Sequence, residues 1–244
     1  MRVLLISDIH ANLPALEAVL KEAEKIGYDA VYCAGDIVGY YPWPNEVTQW
    51  VRENADRVVL GNHDAIVAGR LSPEYFSSAA YEAIMWTLEH LTEENKRFIS
   101  SLPVVEEFDS TCLVHDTPLR PMSMEYIVHP QEAVPVFLNT TYRYILYGHT
   151  HIPVLFELVP QRGELKAYYD IGERVLNREH RYMVNPGSVG QPRDGIPLAS
   201  FLVWDTDKNL LIHRRVDFDK ERVLKEVVEK GLPPELGYRL FKGV

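Results

Sequence analysis

The chain has 244 residues, 46% hydrophobic and 25% charged, with a formal net charge of -10. That balance fits a globular chain and excludes disordered and collagen-like proteins, while the acidic excess speaks against binding a nucleic-acid backbone. No segment approaches the ~20 apolar residues of a membrane span, and the opening apolar run, Val3 to Ile6, is too short for a signal-peptide core.

RVLLIS (Arg2 to Ser7) is a continuous apolar run, the pattern of a strand covered on both faces. Asn12 then offers a helix cap with Pro14 behind it, and Leu13, Leu16, Leu20 and Ala23 keep a helical spacing that Gly27 ends. A second strand is expected from Asp29 to Gly35, a helix from about Pro44 to Asn54, and a third strand from Asp56 to Gly61. This alternation points to a parallel, helix-covered sheet.

Residues 70–102 read as two helices with no strand between them, Pro73 to His90 and Thr92 to Ser101. They carry Tyr75, Phe76, Tyr81 and Trp86, which could face a substrate. Yet Ala80, Ile84, Leu88 and Leu91 have the spacing of a helix packed on a sheet, the simpler account. Strands are expected at Val104 to Phe108 and Thr111 to His115, a helix near Pro130 to Leu138, and a strand at Arg143 to Gly148. The remainder is mostly β, with strands at Val154 to Val159, Glu164 to Asp170, Ala199 to Asp205 and Leu210 to Val216, then a helix from about Asp219 to Lys230. No linker divides the chain, so one domain over 1–244 is expected, with 70–102 as a helical insertion near the site. The only cysteines, Cys33 and Cys112, lie in apolar strand-like runs, so a cytoplasmic protein without disulfides is expected.

The polar residues that stand out lie where apolar strands stop: Asp8 and His10, Asp36 after Gly35, Asn62 and His63, His115, and His149 and His151. In α/β sheets ligands bind outside the carboxyl ends of the strands, so these tips are expected to converge. Asp8 and His10 are two apart, as are His149 and His151, a spacing that puts both side chains on one side of an extended backbone. Carboxylates, imidazoles and one amide, without thiolate, suit Mn, Fe, Zn or Co. Two carboxylates against two divalent cations leave a net positive centre that favours an anionic phosphate.

DIH, GDIVG, GNHD, a histidine after a late strand and GHTH, in that order, resemble the calcineurin-like metallophosphoesterase superfamily. Within it the chain is most similar to the small bacterial and archaeal phosphodiesterase-like branch, from Met1 to about Asp205. The resemblance, with the strand pattern, implies an α/β four-layer αββα sandwich (α+β by some schemes) of two mixed β-sheets flanked by helices. It implies two divalent metal ions, Mn first, with Fe, Zn, Co or Ni as alternatives. Asp8, His10 and His151 would hold one ion and Asn62, His115 and His149 the other, with Asp36 shared. His63 is similar to the superfamily's catalytic histidine, which orients the phosphate and protonates the leaving oxygen. The implied reaction is hydrolysis of a phosphodiester or phosphoanhydride of a small soluble substrate, a nucleotide among the candidates, by a hydroxide bridging the two ions.

One departure is Asp116, which follows His115 where the superfamily often has glycine. It could orient the imidazole or alter access to the site. Arg193, in GSVGQPR, is a candidate substrate-binding residue or a loop tie, and Asn185 and Ser188 are read as shaping the turn. His90, His129, His180 and His213 match no motif and are expected at the surface or at helix ends. A dinucleoside polyphosphate hydrolase is the alternative activity, and a catalytically silent metal-site scaffold for protein interaction the alternative class. Neither a nucleic-acid polymer nor a membrane is an expected partner, and a homo-oligomer is left open.

Overall fold

β1 (Arg2–Ile6) is apolar from Val3 to Ile6 because both of its faces are covered. In the computed structural model, which describes residues 1–244, Leu4 and Ile6 face one core and Val3 and Leu5 another. α1 (Leu13–Ile26) starts where Asn12 accepts a hydrogen bond from the Ala15 amide, 3.2 Å away. β2 (Ala30–Cys33), α2 (Pro44–Asn54) and β3 (Arg57–Val58) follow, and β1, β2 and β3 pair in parallel. β3 is shorter than its apolar run suggested. Past Val58 the backbone leaves the sheet, and α3 (Asn62–Val67) begins inside the GNHD motif.

A short 3-10 turn at Pro73–Tyr75 precedes α4 (Ser78–His90), so the expected single helix from Pro73 is broken. Ser77 caps α4 and Thr92 caps α5 (Glu93–Ser101), each by accepting from a backbone amide three residues on. Ala80, Ala83, Ile84 and Thr87 are buried, so α4 packs as an amphipathic helix, while the 3-10 turn carries Tyr75 and Phe76 elsewhere. Next come β4 (Val105–Phe108), β5 (Thr111–Val114), α6 (Pro130–Asn139), β6 (Tyr144–Leu146), β7 (Val154–Val159) and β8 (Glu164–Tyr168). β9 (Glu173–Val175) and β10 (Arg181–Asn185) precede β11 (Ala199–Asp205) and β12 (Leu210–Val216). α7 (Lys220–Glu229) and α8 (Pro234–Tyr238) complete the elements.

The twelve strands form two mixed six-stranded sheets, ordered β3-β2-β1-β11-β12-β9 and β4-β5-β6-β10-β7-β8. Three separate cores make the layers visible. Val3, Leu5, Leu113, Leu146, Val184 and Leu202 fill the space between the sheets. Leu4, Ile6, Leu16, Val47, Ile84 and Val223 lie between the first sheet and its helices. Ala133, Val136 and Phe137 of α6 meet Ile145, Phe156 and Met183 on the far side of the second. This is the expected four-layer αββα sandwich. No helix is long and apolar enough to cross a membrane, and both cysteines are buried and unpaired.

Two strands, β9 and β10, and two helices, α3 and α8, were not expected from the sequence. β9 is a three-residue edge, and α8 is a single short stretch after Pro233. β10 is central in its sheet, between β6 and β7, yet its run RYMVN carries too few apolar residues to stand out. His213 is also corrected. It lies buried on β12, with Nε2 2.7 Å from the Ser200 hydroxyl on the paired strand β11. His90 and His129 are exposed, on or beside helix ends, and His180 is half-buried against Glu157.

Candidate metal centre

The motif residues sit in tight backbone. Asp8, His10, Asp36, His149 and His151 all have positive φ, between 51° and 66°, in the left-handed region that L side chains avoid. Each such residue costs about 1–3 kcal/mol and persists only where surrounding contacts fix it. Here the amide of Asp8 donates to the Gly35 carbonyl and that of His10 to the Asp36 carbonyl, both at 3.0 Å. The expectation that extended backbone sets the paired side chains is therefore corrected. Left-handed turns beyond the strand ends, locked by neighbouring loops, aim them inward. The DIH and GDIVG turns brace one another, and Asp64 adds the third motif by accepting from the amides of Gly61, Ile37 and Val38.

Two donor sets result. Asp8, His10, Asp36 and His151 bring their ligand atoms within 4.8 Å of one another, as do Asp36, His115 and His149. Nε2 of His151 is 3.3 Å from Oδ1 of Asp8 and 3.1 Å from Nε2 of His10. The Asn62 amide oxygen lies 3.1 Å from Nε2 of His115 and 3.0 Å from Nδ1 of His149, which joins it to the second set. Asp36 belongs to both. All seven side chains are buried.

The surroundings prepare these groups as ligands. Nδ1 of His10, His115 and His151 lies 3.1, 2.7 and 2.6 Å from the carbonyls of Val38, Ala34 and Gln191. An Nδ1–H donated there leaves the Nε2 lone pair facing the cluster, the arrangement that orients a metal-binding imidazole. His149 turns Nδ1 toward the Asn62 oxygen of the second set, while its Nε2, on the other side of the ring, is buried with no hydrogen-bond partner. Burial holds His10 well below the usual histidine range and brings His149 down to about 4, so both are neutral bases. Burial would raise Asp36, but the charge of His115 beside it holds the carboxyl well below its ordinary range. A cluster of imidazoles, two carboxylates and an amide, without thiolate, fits a divalent cation of the Mn, Fe, Co or Zn type.

A family model of the calcineurin-like phosphoesterase superfamily domain matches residues 1–209. The chain belongs to that superfamily. The crystal structure of a metallophosphoesterase from Sphaerobacter thermophilus superposes with a TM-score of 0.89 at 37% identity, covering 100% of this chain and 99% of that one. The uncharacterized protein MJ0912 of Methanocaldococcus jannaschii is 36% identical across 99% of this chain and 98% of its own length. Phosphodiesterase YfcE of Escherichia coli K12 is 25% identical, covering 85% of this chain and 89% of YfcE. This calcineurin-like phosphoesterase thus stands among small bacterial and archaeal members of the superfamily.

Around the cluster opens a cavity of about 450 Å³, lined by residues that include Tyr40, His63, Tyr75, Phe76, Tyr126 and Arg193. His63 packs between aromatic rings, with centroids 4.7 Å from Tyr40 and 4.5 Å from Phe76, and its Nδ1 has no partner. Burial lowers its pKa to about 4. Arg193 is both a loop tie and a wall of the cavity. It donates to Gln191 Oε1 at 2.8 Å and to the Tyr40 hydroxyl at 3.0 Å. Asn185 and Ser188 shape the turn, donating to the Gly148 carbonyl at 2.7 Å and the Asp8 carbonyl at 2.8 Å.

Asp116 does not touch the His115 ring. Its carboxylate accepts from the amides of Thr117, Met122 and Met124 and so holds the loop that delivers Met124 and Tyr126 to the cavity. Tyr126 leans on His149 with ring centroids 4.5 Å apart. Sequence reasoning missed Tyr40, Met124, Tyr126 and Arg239. Only Tyr40, directly after GDIVG, had a signal to find it by.

Proposed function

We propose that this protein is a metal-dependent phosphodiesterase acting on a small soluble phosphorylated substrate with two divalent cations, manganese first among them. The observation that carries the reading is the placement of Asp36 Oδ2, 3.6 Å from Nε2 of His10 and 3.3 Å from Nε2 of His115. One carboxylate oxygen thus faces both donor sets, as a shared ligand would. Asp8, His10, Asp36 and His151 would hold one ion, and Asp36, Asn62, His115 and His149 the other. When bound, such a pair supplies Lewis-acid charge for the phosphoryl oxygens and lowers the pKa of water from 15.7 toward 7.

The chain's own groups do the rest. His63 lines the cavity with Nδ1 buried against Gly39, which leaves Nε2 as the nitrogen placed to orient the phosphoryl group and deliver a proton to the leaving oxygen. Its low pKa means that the proton must come with an anionic substrate, whose charge opposes the effect of burial. Such general-acid assistance contributes roughly 10²–10⁴-fold. Arg193 offers a guanidinium to the same phosphate. Phe76 and Tyr40 shield the reacting centre from water.

The test is a hydrolysis screen of the purified chain with added Mn. It compares bis(nitrophenyl) phosphate, nitrophenyl phosphate, cyclic nucleotides and a diadenosine polyphosphate. Turnover of the diester ahead of the monoester is expected. Preference for the monoester, or metal uptake with no turnover of any substrate, overturns the reading.

A further inference from the structure

A second cavity, of about 620 Å³, is larger than the one over the cluster and shares no lining residue with it. It lies at the opposite pole of the sandwich. Ala30, Arg57, Thr111 and Tyr144 line it from the starts of β2, β3, β5 and β6. Asp36, Asn62, His115 and His149 follow the ends of those same strands. At ~3.3 Å per residue the two poles stand roughly 15–20 Å apart. The volume falls within the ~300–1,000 Å³ of small-molecule sites.

Its floor is built from ring pairs that bridge the two sheets. Tyr32 on β2 meets Phe108 on β4 with centroids 5.4 Å apart, and Trp204 on β11 meets Tyr144 on β6 at 4.7 Å. Tyr32, Tyr144 and Trp204 are buried, so packing fixes their rings. The Tyr144 hydroxyl donates to Asn209 Oδ1 at 2.9 Å, and Asn209 Nδ2 donates to the Leu176 carbonyl at 2.8 Å. The Arg57 guanidinium lies over the Phe108 ring, 4.0 Å from its centroid, and pairs with Glu106 at 3.0 Å. A floor already ordered costs a ligand little on binding, and a planar ring stacks on it by offset or edge-to-face contact.

Arg143 and Arg178 also line the cavity. Arg178 donates to the Asp207 carbonyl at 2.7 Å, while the exposed Arg143 spends no side-chain donor inside the chain. Water satisfies an exposed guanidinium, so Arg143 alone would mean nothing. Beside a fixed aromatic floor it completes a recognition pair. Arg57, Arg143 and Arg178 against the carboxylates of Asp56 and Asp109 leave the cavity net positive, in a chain of net charge -10.

We propose that this pole holds a second small-molecule site, separate from the metal centre, that takes an aromatic anion. The ring packs on Tyr32, Tyr144 and Trp204, and the acidic group meets Arg143. That group is a phosphate or a carboxylate, both of which a guanidinium binds through two parallel hydrogen bonds. None of these residues takes part in hydrolysis, so the site stands whether or not the phosphodiesterase reading does.

The test uses the metal-free protein at neutral pH with AMP and naphthoate as probes. Calorimetry is expected to give a Kd below about 1 mM for at least one of them. Adenosine and inorganic phosphate, which each lack half of the recognition, are expected to bind about tenfold or more weakly. Arg143→Glu alters an exposed side chain and keeps the fold, and is expected to weaken binding about 10–100-fold. His63→Ala, in the other cavity, is expected to leave it unchanged. In NMR spectra the indole N–H signal of Trp204, assigned by Trp204→Phe, is expected to move on binding. Those of Trp43, Trp50 and Trp86, which line neither cavity, are expected to stay. Tighter binding of AMP would mark phosphate as the recognised group, and tighter binding of naphthoate a carboxylate. Neither probe binding below about 1 mM would overturn the site. So would binding indifferent to Arg143→Glu, binding lost in His63→Ala, or adenosine binding as tightly as AMP.

Discussion

Oδ2 of Asp36 lies 3.3 Å from Nε2 of His115. Its other oxygen accepts from the His63 amide at 2.9 Å, which fixes the carboxylate's rotation and turns Oδ2 toward the donor sets. Removing the charge at Asp36 therefore acts on both sets, whereas removing it at Asp8 acts on one. Elemental analysis is expected to find about two ions per chain in the wild type, about one in Asp8→Asn and fewer in Asp36→Asn. Two tightly held ions in Asp36→Asn would show that the oxygen is not shared.

The His63 ring packs edge-on against His10, centroids 4.7 Å apart, but makes no side-chain hydrogen bond to either donor set. His63→Ala is expected to keep the metal content of the wild type while kcat falls about 10²–10⁴-fold. Unchanged turnover would remove its role in proton delivery. Loss of metal together with turnover would make it a support for the cluster instead.

Gly39 is the last residue of GDIVG, and a Cβ built there meets Nδ1 of His63 at 2.5 Å and Nδ1 of His10 at 3.0 Å. Its φ of 131° lies in a region L residues rarely adopt. Gly39→Ala is expected to cost about 1–3 kcal/mol of stability and to lower kcat at least tenfold by pushing His63 aside. Thermal unfolding and steady-state kinetics check the two parts. An active variant with wild-type stability would mean that the loop yields freely.

The Asp116 carboxylate gathers three backbone amides, and its loss would leave them without that partner. Asp116→Ala is expected to destabilise the chain by about 2–4 kcal/mol, and Asp116→Asn, which keeps one acceptor oxygen, by less. Denaturant titration separates the two. Because the same loop presents Tyr126, KM is expected to rise in both variants. A stable Ala variant with unchanged KM would detach Asp116 from the site.

His213 gives the fold a pH dependence away from the cluster. Burial first, and then the charge of Arg215, lower its pKa to about 4, although Asp170 and Asp194 oppose this. An unfolded histidine titrates near 6.5, so between about pH 4 and 6.5 the unfolded chain binds the extra proton. The contribution of His213 is present in full above pH 6.5 and is lost as the pH falls toward 4. It amounts to at most about 3 kcal/mol. His213→Gln is expected to lose less stability than the wild type between pH 7 and 4.5, read by thermal unfolding. An equal loss in both would mean that His213 is not held neutral.

The sequence by itself determined much of the fold and most of the centre. Apolar runs placed β1, β2, β5, β7, β11 and β12, and the caps at Asn12 and Thr92 placed their helices, because these signals are local and repeat at a fixed period. The five motifs placed Asp8, His10, Asp36, Asn62, His115, His149 and His151 together before any distance was known. Tertiary structure alone decided how they meet. Left-handed backbone at Asp8, His10, Asp36, His149 and His151 holds only because separate loops bond to one another, and no single segment encodes that. It also decided β10, central in its sheet though weakly apolar, and the burial of His213 opposite Ser200. Tyr126 and Arg239 reach the cavity from loops and turns without periodicity, since what aims them is packing between segments distant in sequence.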